Sequence, residues 1–166
     1  MKIERTMRNE ISAGELFEMM CTKGYQERKC VDAGALSYDV SVRRSADGAV
    51  IRARRKMPTT GFPSLLRKFV PAGVTSTETV TWSPAAADGS RTAELHVDFH
   101  GTPATMNGSI RMVPDGPDVT LVLVDAEFKA RVPLVGGKVE GFAAPIILSV
   151  IDAEEETGRA WAAEIR

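Results

Sequence analysis

The chain has 166 residues, 43% of them hydrophobic and 26% charged, with a formal net charge of -1. That length suits one domain, residues 1–166, with a core large enough to need no disulfide or metal staple. The composition excludes a disordered chain, and the charge balance gives no reason to expect a nucleic-acid or membrane-surface partner.

In chain order, Lys2 to Ile11 alternate as a strand. Ser12 then reads as a helix N-cap with Glu15 three residues on, and Leu16, Phe17, Met19 and Met20 give an apolar stripe that Gly24 closes. Tyr25 to Val31 predicts a second short helix ending near Gly34. From Ala35 the period becomes two. Leu36, Tyr38, Val40 and Val42 alternate with polar residues up to a hairpin turn at Asp47-Gly48, and Ala49 to Met57 returns as the partner strand. Phe62 to Val70 has helical spacing at Phe62, Leu65, Leu66 and Phe69. Four more strands follow, Val74 to Ser83, Arg91 to Gly101, Ala104 to Val113 and Asp118 to Val132, separated by Pro and Gly turns.

Leu134 to Ile165 predicts a long helix, with Val135, Val139, Phe142, Ile146, Val150 and Ala153 on one face. It would run roughly 45 Å at 1.5 Å per residue. The ring of Pro145 crowds the carbonyl of Gly141, so a kink rather than a break is expected there. Six consecutive strands with short turns imply an antiparallel meander, and only the long helix can cover its apolar face. A twisted sheet curled around a helix leaves a cavity between them, a place for small ligands.

The element order resembles the helix-grip fold of the START-like superfamily, also called SRPBCC. More closely, the chain resembles a bacterial family of unknown function within it. The motifs that carry the resemblance are Phe62-Pro63 through Arg67-Lys68-Phe69-Val70, the strand Glu78-Thr79-Val80-Thr81-Trp82, and the stretch from Ala126 to Glu140, with its Pro-x-x-Gly-Gly-x-x-Glu pattern. The resemblance implies an α+β helix-grip fold. A curved seven-stranded antiparallel sheet would wrap around the C-terminal helix, with two short helices after the first strand. It also implies a hydrophobic cavity for lipids, polyketides, hormones or other apolar molecules. Some superfamily members are cyclases, hydrolases or chaperone activators.

Within that expectation, Tyr38, Glu78, Val80, Trp82, Leu95, Phe99, Met106, Ile110, Phe128, Phe142 and Ile146 are the candidate cavity residues, and Phe62, Leu65, Leu66 and Phe69 a candidate lid. Glu78 shares a face with Val80 and Trp82, opposite the row Thr75, Thr77, Thr79 and Thr81, so it points inward. A buried carboxylate must be paired or protonated. It is an acid-base residue, the partner of an arginine such as Arg52 or Arg54, or a group at the sheet's rim.

His96, Asp98 and His100 share a strand face near Glu94, a donor set suited to a divalent metal. Leu95, Val97 and Phe99 claim the inner face, however, so the solvent side is expected for both histidines, and no metal or other cofactor. Arg43, Arg44, Arg52, Arg54, Arg55, Lys56, Arg67 and Lys68 face only Asp47 as a nearby acid. This is a solvated basic face or a site for an anionic partner, but it lacks the aromatics of a single-strand nucleic-acid binder. Gly136-Gly137 matches no nucleotide fingerprint and reads as a strand-to-helix turn.

Cys21 and Cys30 lack metal-ligand spacing and read as reduced thiols of a cytoplasmic protein. No basic cap leads into an apolar run at the start, so no signal peptide is expected. The longest apolar run, Phe142 to Ile151, is too short to span a bilayer. The expected partner is therefore an apolar small molecule or lipid, with no nucleic acid and no integral membrane association. An enzyme of the cyclase, dehydratase or hydrolase kind using Glu78 or Tyr38, or a protein-interaction module, is the alternative.

Overall fold

The structure, a computed structural model, describes residues 1–46 and 48–165. Seven strands form one antiparallel sheet: β1 (Lys2–Asn9), β2 (Ser37–Arg44), β3 (Ala49–Met57), β4 (Val74–Trp82), β5 (Arg91–Phe99), β6 (Ala104–Pro114) and β7 (Thr120–Ala130). Their order across the sheet is β1-β7-β6-β5-β4-β3-β2. The last six strands form the meander that their short turns require, and β1 closes the far edge by pairing Lys2 with Glu127 and Asn9 with Thr120. The helices are α1 (Ala13–Met20), α2 (Lys23–Asp32), α3 (Ser64–Arg67) and α4 (Gly136–Glu164).

Turn chemistry sets the meander. Gly116 adopts a φ of 101° in the Pro-Asp-Gly turn, which Asp115 N–H closes on the Val119 carbonyl at 2.8 Å. In the first hairpin, Asp47 lies outside the described residues, and the Ser45 N–H meets the Gly48 carbonyl at 3.1 Å. At Gly108 of β6 a Cβ would collide with the Asp125 carbonyl and with Ala126 of β7. Only glycine lets two strands approach that closely.

One end of the curved sheet is plugged by α1. Its N-terminus carries the capping box read from the sequence. The Glu15 N–H donates to the Ser12 hydroxyl at 3.3 Å, and the Ser12 N–H donates back to the Glu15 carboxylate at 3.3 Å. Leu16, Phe17 and Met19 are buried against Ile3, Ile11, Trp82 and Met112. The Phe17 ring meets Trp82 edge-on at 6.1 Å.

The two short helices divide at Cys21-Thr22, not at Gly24, which lies inside α2. Gly24 lies beside Trp161, which a Cβ there would meet at an ordinary contact distance of 3.6 Å. Gly158 on α4 is the tighter site, where a Cβ would come within 3.2 Å of the Tyr25 hydroxyl, and the Thr157 hydroxyl donates to the Asp32 carboxylate at 2.8 Å. Cys21 and Cys30 are unpaired.

Helix α4 passes through Pro145 without a break. Leu134, in the connection from β7, has a left-handed φ of 67° and a side chain wholly in solvent. Gly136 follows, where a Cβ would press on the Ala130 carbonyl at 2.6 Å. Two residues of the Gly-Gly-x-x-Glu motif thus acquire roles: Gly136 permits the close turn, and Glu140 accepts a hydrogen bond from the Ala130 N–H at 3.1 Å. That bond holds the Glu140 carboxyl below its ordinary range. Among the described residues no helix is long and apolar enough to cross a membrane.

Candidate functional site

Between the sheet and the first two-thirds of α4 lies a cavity of about 230 Å³. The sheet contributes Val97, Phe99, Met106 and Phe128, and α4 contributes Val139, Ala143, Ile146, Ile147, Val150 and Ile151. At one end the lining is loop: Pro58, Phe62, Leu66, Phe69 and Val70 on one side, Thr102 and Pro103 on the other. A second cavity of about 100 Å³ continues toward α1 and α2, walled by Met20, Tyr25, Val80, Trp82, Leu95 and Ile110. Glu78, Met106, Ile151 and Glu154 line both.

Most of the residues read from the sequence therefore come together. Phe99, Phe128 and Ile146 line the larger cavity, Val80, Trp82, Leu95 and Ile110 the smaller, and Glu78 and Met106 both. Two residues do not join them. Tyr38 stands on the edge strand β2 opposite Arg55 and is 44% exposed, because on that side Arg55 is the wall. Phe142 is also 44% exposed. At 100° per residue it sits roughly 100° from the middle of the inward stripe that Val139, Ala143, Ile147, Val150 and Glu154 define. Of the lid residues, Phe62, Leu66 and Phe69 border the cavity, whereas Leu65 packs against the core without lining it. The helical part of this segment is only Ser64–Arg67.

Where the two cavities meet, four ionisable side chains form a network. Arg55 Nη1 donates to Glu154 Oε1 at 2.9 Å, and Lys29 Nζ lies 3.2 Å from Glu154 Oε2. Arg55 Nη2 is 3.9 Å from Glu78 Oε2. All four side chains are largely withdrawn from water. For Glu154, Lys29 and Arg55 burial opposes the charge, but the opposite charges prevail. Glu154 titrates below the ordinary carboxylate value despite its burial, because Lys29 and Arg55 flank it. Burial likewise disfavours the charged forms of Lys29 and Arg55, yet Glu154 and then Glu78 hold both above their ordinary values.

Glu78 is thus inward, as its alternation implied, but its arginine is Arg55. Arg52 and Arg54 are exposed on the other face of β3. Arg55 was legible by the same rule, since Ile51, Ala53, Arg55 and Met57 share a face, yet it was grouped with the basic hairpin. Glu154 and Lys29 carried weaker signals. Each is a charge placed four residues after an apolar member of an inward helical stripe, Val150 and Tyr25 respectively.

The threonine row of β4 is not uniformly a solvent face. Thr81 is exposed, but Thr77 is buried and its hydroxyl is 2.7 Å from His100 Nε2. His96 is exposed and its ring meets the Asn107 side chain. Among the described residues no three His, Cys, Asp or Glu side chains gather as a metal site.

Comparison with solved structures places this geometry in a known fold. An aromatase/cyclase, Zhui, from Streptomyces sp. R1128 superposes with a TM-score of 0.67 at 13% identity, over 100% of this chain and 96% of its own. Human STARD10 gives 0.60 at 11% identity, covering 95% of this chain and 62% of its own. A START superfamily protein from Mycobacterium smegmatis gives 0.53 at 16% identity, over 93% and 94%. The seven-stranded curved sheet with its long C-terminal helix is the helix-grip fold of these START-like proteins. A comparison with curated proteins gave no match. The model of one family, described as "Protein of unknown function (DUF2505)", matches residues 4–162, so the chain belongs to that family.

Proposed function

We propose that the protein binds an apolar small molecule or lipid in the cavity between its sheet and α4. One observation carries this reading: a cavity of about 230 Å³ walled by Phe99, Met106, Phe128, Val139, Ile146 and Ile147. An engineered cavity of about 150 Å³ with such walls stays dry and takes benzene, so this one suits a molecule somewhat larger. The similarity to an aromatase/cyclase and to STARD10 is of fold, and it supports a ligand-holding interior without naming the ligand.

The test is calorimetric titration with methylnaphthalene, which matches the cavity in polarity and size. Binding with a negative heat-capacity change is expected. Ile146→Trp, which fills the space from the α4 side, should abolish it. No binding to the wild-type protein overturns the reading.

A second reading, an enzyme of the cyclase, dehydratase or hydrolase kind, is favoured by Glu78, whose carboxylate lines both cavities. A positioned carboxylate can transfer a proton to or from a bound substrate. Tyr38, the other candidate for that task, is outside the cavity. Turnover of a discovered substrate that survives Glu78→Gln would count against this reading.

A further inference from the structure

The four charges between the cavities are not equally occupied. Glu154 uses both carboxylate oxygens, Oε1 on Arg55 and Oε2 on Lys29. Lys29 Nζ also reaches the Gln26 side-chain oxygen at 3.4 Å, and the Gln26 amide nitrogen is spent on the Met20 carbonyl at 2.6 Å. The Thr102 hydroxyl is likewise spent, on the Phe99 carbonyl at 2.8 Å. Glu78 is the exception. Among the described residues it makes no hydrogen bond, and its one ion pair is the 3.9 Å approach of Arg55 to Oε2. No hydrogen bond reaches its Oε1 among the described residues, and the side chain lines both cavities.

An ionised carboxylate offers about four lone-pair sites and no proton. Left unfilled and out of bulk water, those sites represent lost solvation that a ligand can restore. Arg55 and Lys29 are both drawn to Glu154, whereas no hydrogen bond among the described residues reaches Glu78. Apart from Ser76, whose hydroxyl can serve either role, the remaining wall of the larger cavity is apolar.

We propose that the ligand is an amphipathic molecule carrying a hydrogen-bond donor, a hydroxyl or a protonated amine, and that Glu78 receives this donor where the two cavities meet. The apolar body then lies between Phe99 and Phe128 on the sheet and Ile146 and Ile147 on α4. An anionic end group is disfavoured at this position. It would meet the carboxylate of Glu78 first, with Arg55 and Lys29 drawn toward Glu154. This rests on the cavity-binding reading above and narrows it to a ligand class.

The experiment is a calorimetric comparison of four molecules that share one ring system: methylnaphthalene, naphthylmethanol, protonated naphthylmethylamine and naphthoate. The alcohol and the amine should bind about tenfold more tightly than methylnaphthalene, the gain of one charge-assisted hydrogen bond, and naphthoate more weakly. Glu78→Gln removes the charge but keeps an acceptor. It should erase the advantage of the amine, reduce that of the alcohol to the smaller gain of a neutral hydrogen bond, and leave methylnaphthalene unchanged.

If all four rank by apolar area alone, or naphthoate binds tightest, the donor proposal is overturned while the cavity reading stands. If methylnaphthalene and the rest all fail to bind, the cavity reading itself fails. Should Glu78→Gln not fold, the wild-type ranking alone decides.

Discussion

The two ends of the curved sheet are built from similar residues but to opposite purposes. At the α1 end, Ile3, Ile11, Leu16, Met112 and Val122 are sealed from solvent, and the Arg91 guanidinium lies 3.6 Å over the Phe17 ring. At the α3 end, α4 runs for 29 residues yet buries only Val139 before Thr157 and Gly158. A short amphipathic helix pushed into the sheet seals most of that end and leaves only the smaller cavity beside it. A long helix laid across it, held off by Phe99, Met106 and Phe128, leaves space. The charge network of Lys29, Arg55, Glu78 and Glu154 marks the border between the two regimes.

The largest expected effect lies on that border. Glu154→Leu leaves Lys29 and Arg55 buried without their shared partner and should cost about 3–5 kcal/mol, measured by urea denaturation. The same carboxylate sets a pH dependence. Its folded pKa is depressed below 4.5, so its stabilisation is complete above that value and is lost as pH falls through the lower folded value. Acid titration of stability should therefore be shallower in Glu154→Gln than in the wild type.

Next in size is the contrast of the two ends themselves. Leu16→Ala in the solid core should cost about 2–5 kcal/mol through the void it creates. Ile146→Ala enlarges space that is already empty and should cost less than about 1.5 kcal/mol. Equal losses at the two sites in thermal or urea unfolding would erase the distinction between a packed and a hollow end. Smallest is Ser12→Ala, which removes the cap of α1 and should cost about 1 kcal/mol. That loss should leave methylnaphthalene binding untouched if the ends are independent.

Most of the fold was legible because two periodicities dominate the chain. Alternation in β3 to β7 and the Pro-Asp-Gly and Gly turns fix a meander, and the stripe of α4 fixes its cover. What was less legible was rotational phase and sheet position. Phe142 is as apolar as Ile146 and only four residues away, yet the helix turns it outward. Tyr38 alternates correctly with Val40, but it stands on the sheet's edge, where α2 packs Cys30 on Val40 and leaves Tyr38 exposed. Arg55 obeyed the alternation and was missed because its charge suggested water. Its solvent was replaced by Glu154, an acid some hundred residues distant in sequence, and no local pattern announces such a partner.

The left-handed Leu134 gives α4 a particular mechanical situation. A single residue in a sparsely populated backbone region joins the last strand to a helix roughly 44 Å long. The helix is a lever with that residue as its fulcrum. A swing of about 5° there would carry the far end roughly 4 Å. The Glu140 bond to Ala130 acts close to the fulcrum, where it has little moment. Glu154 acts about 30 Å along the arm, against Arg55 of the sheet and Lys29 of α2. The width of the cavity is thus held about two-thirds of the way along the arm, by the network that would meet a ligand's polar group and by Arg5 on the neighbouring Asp152.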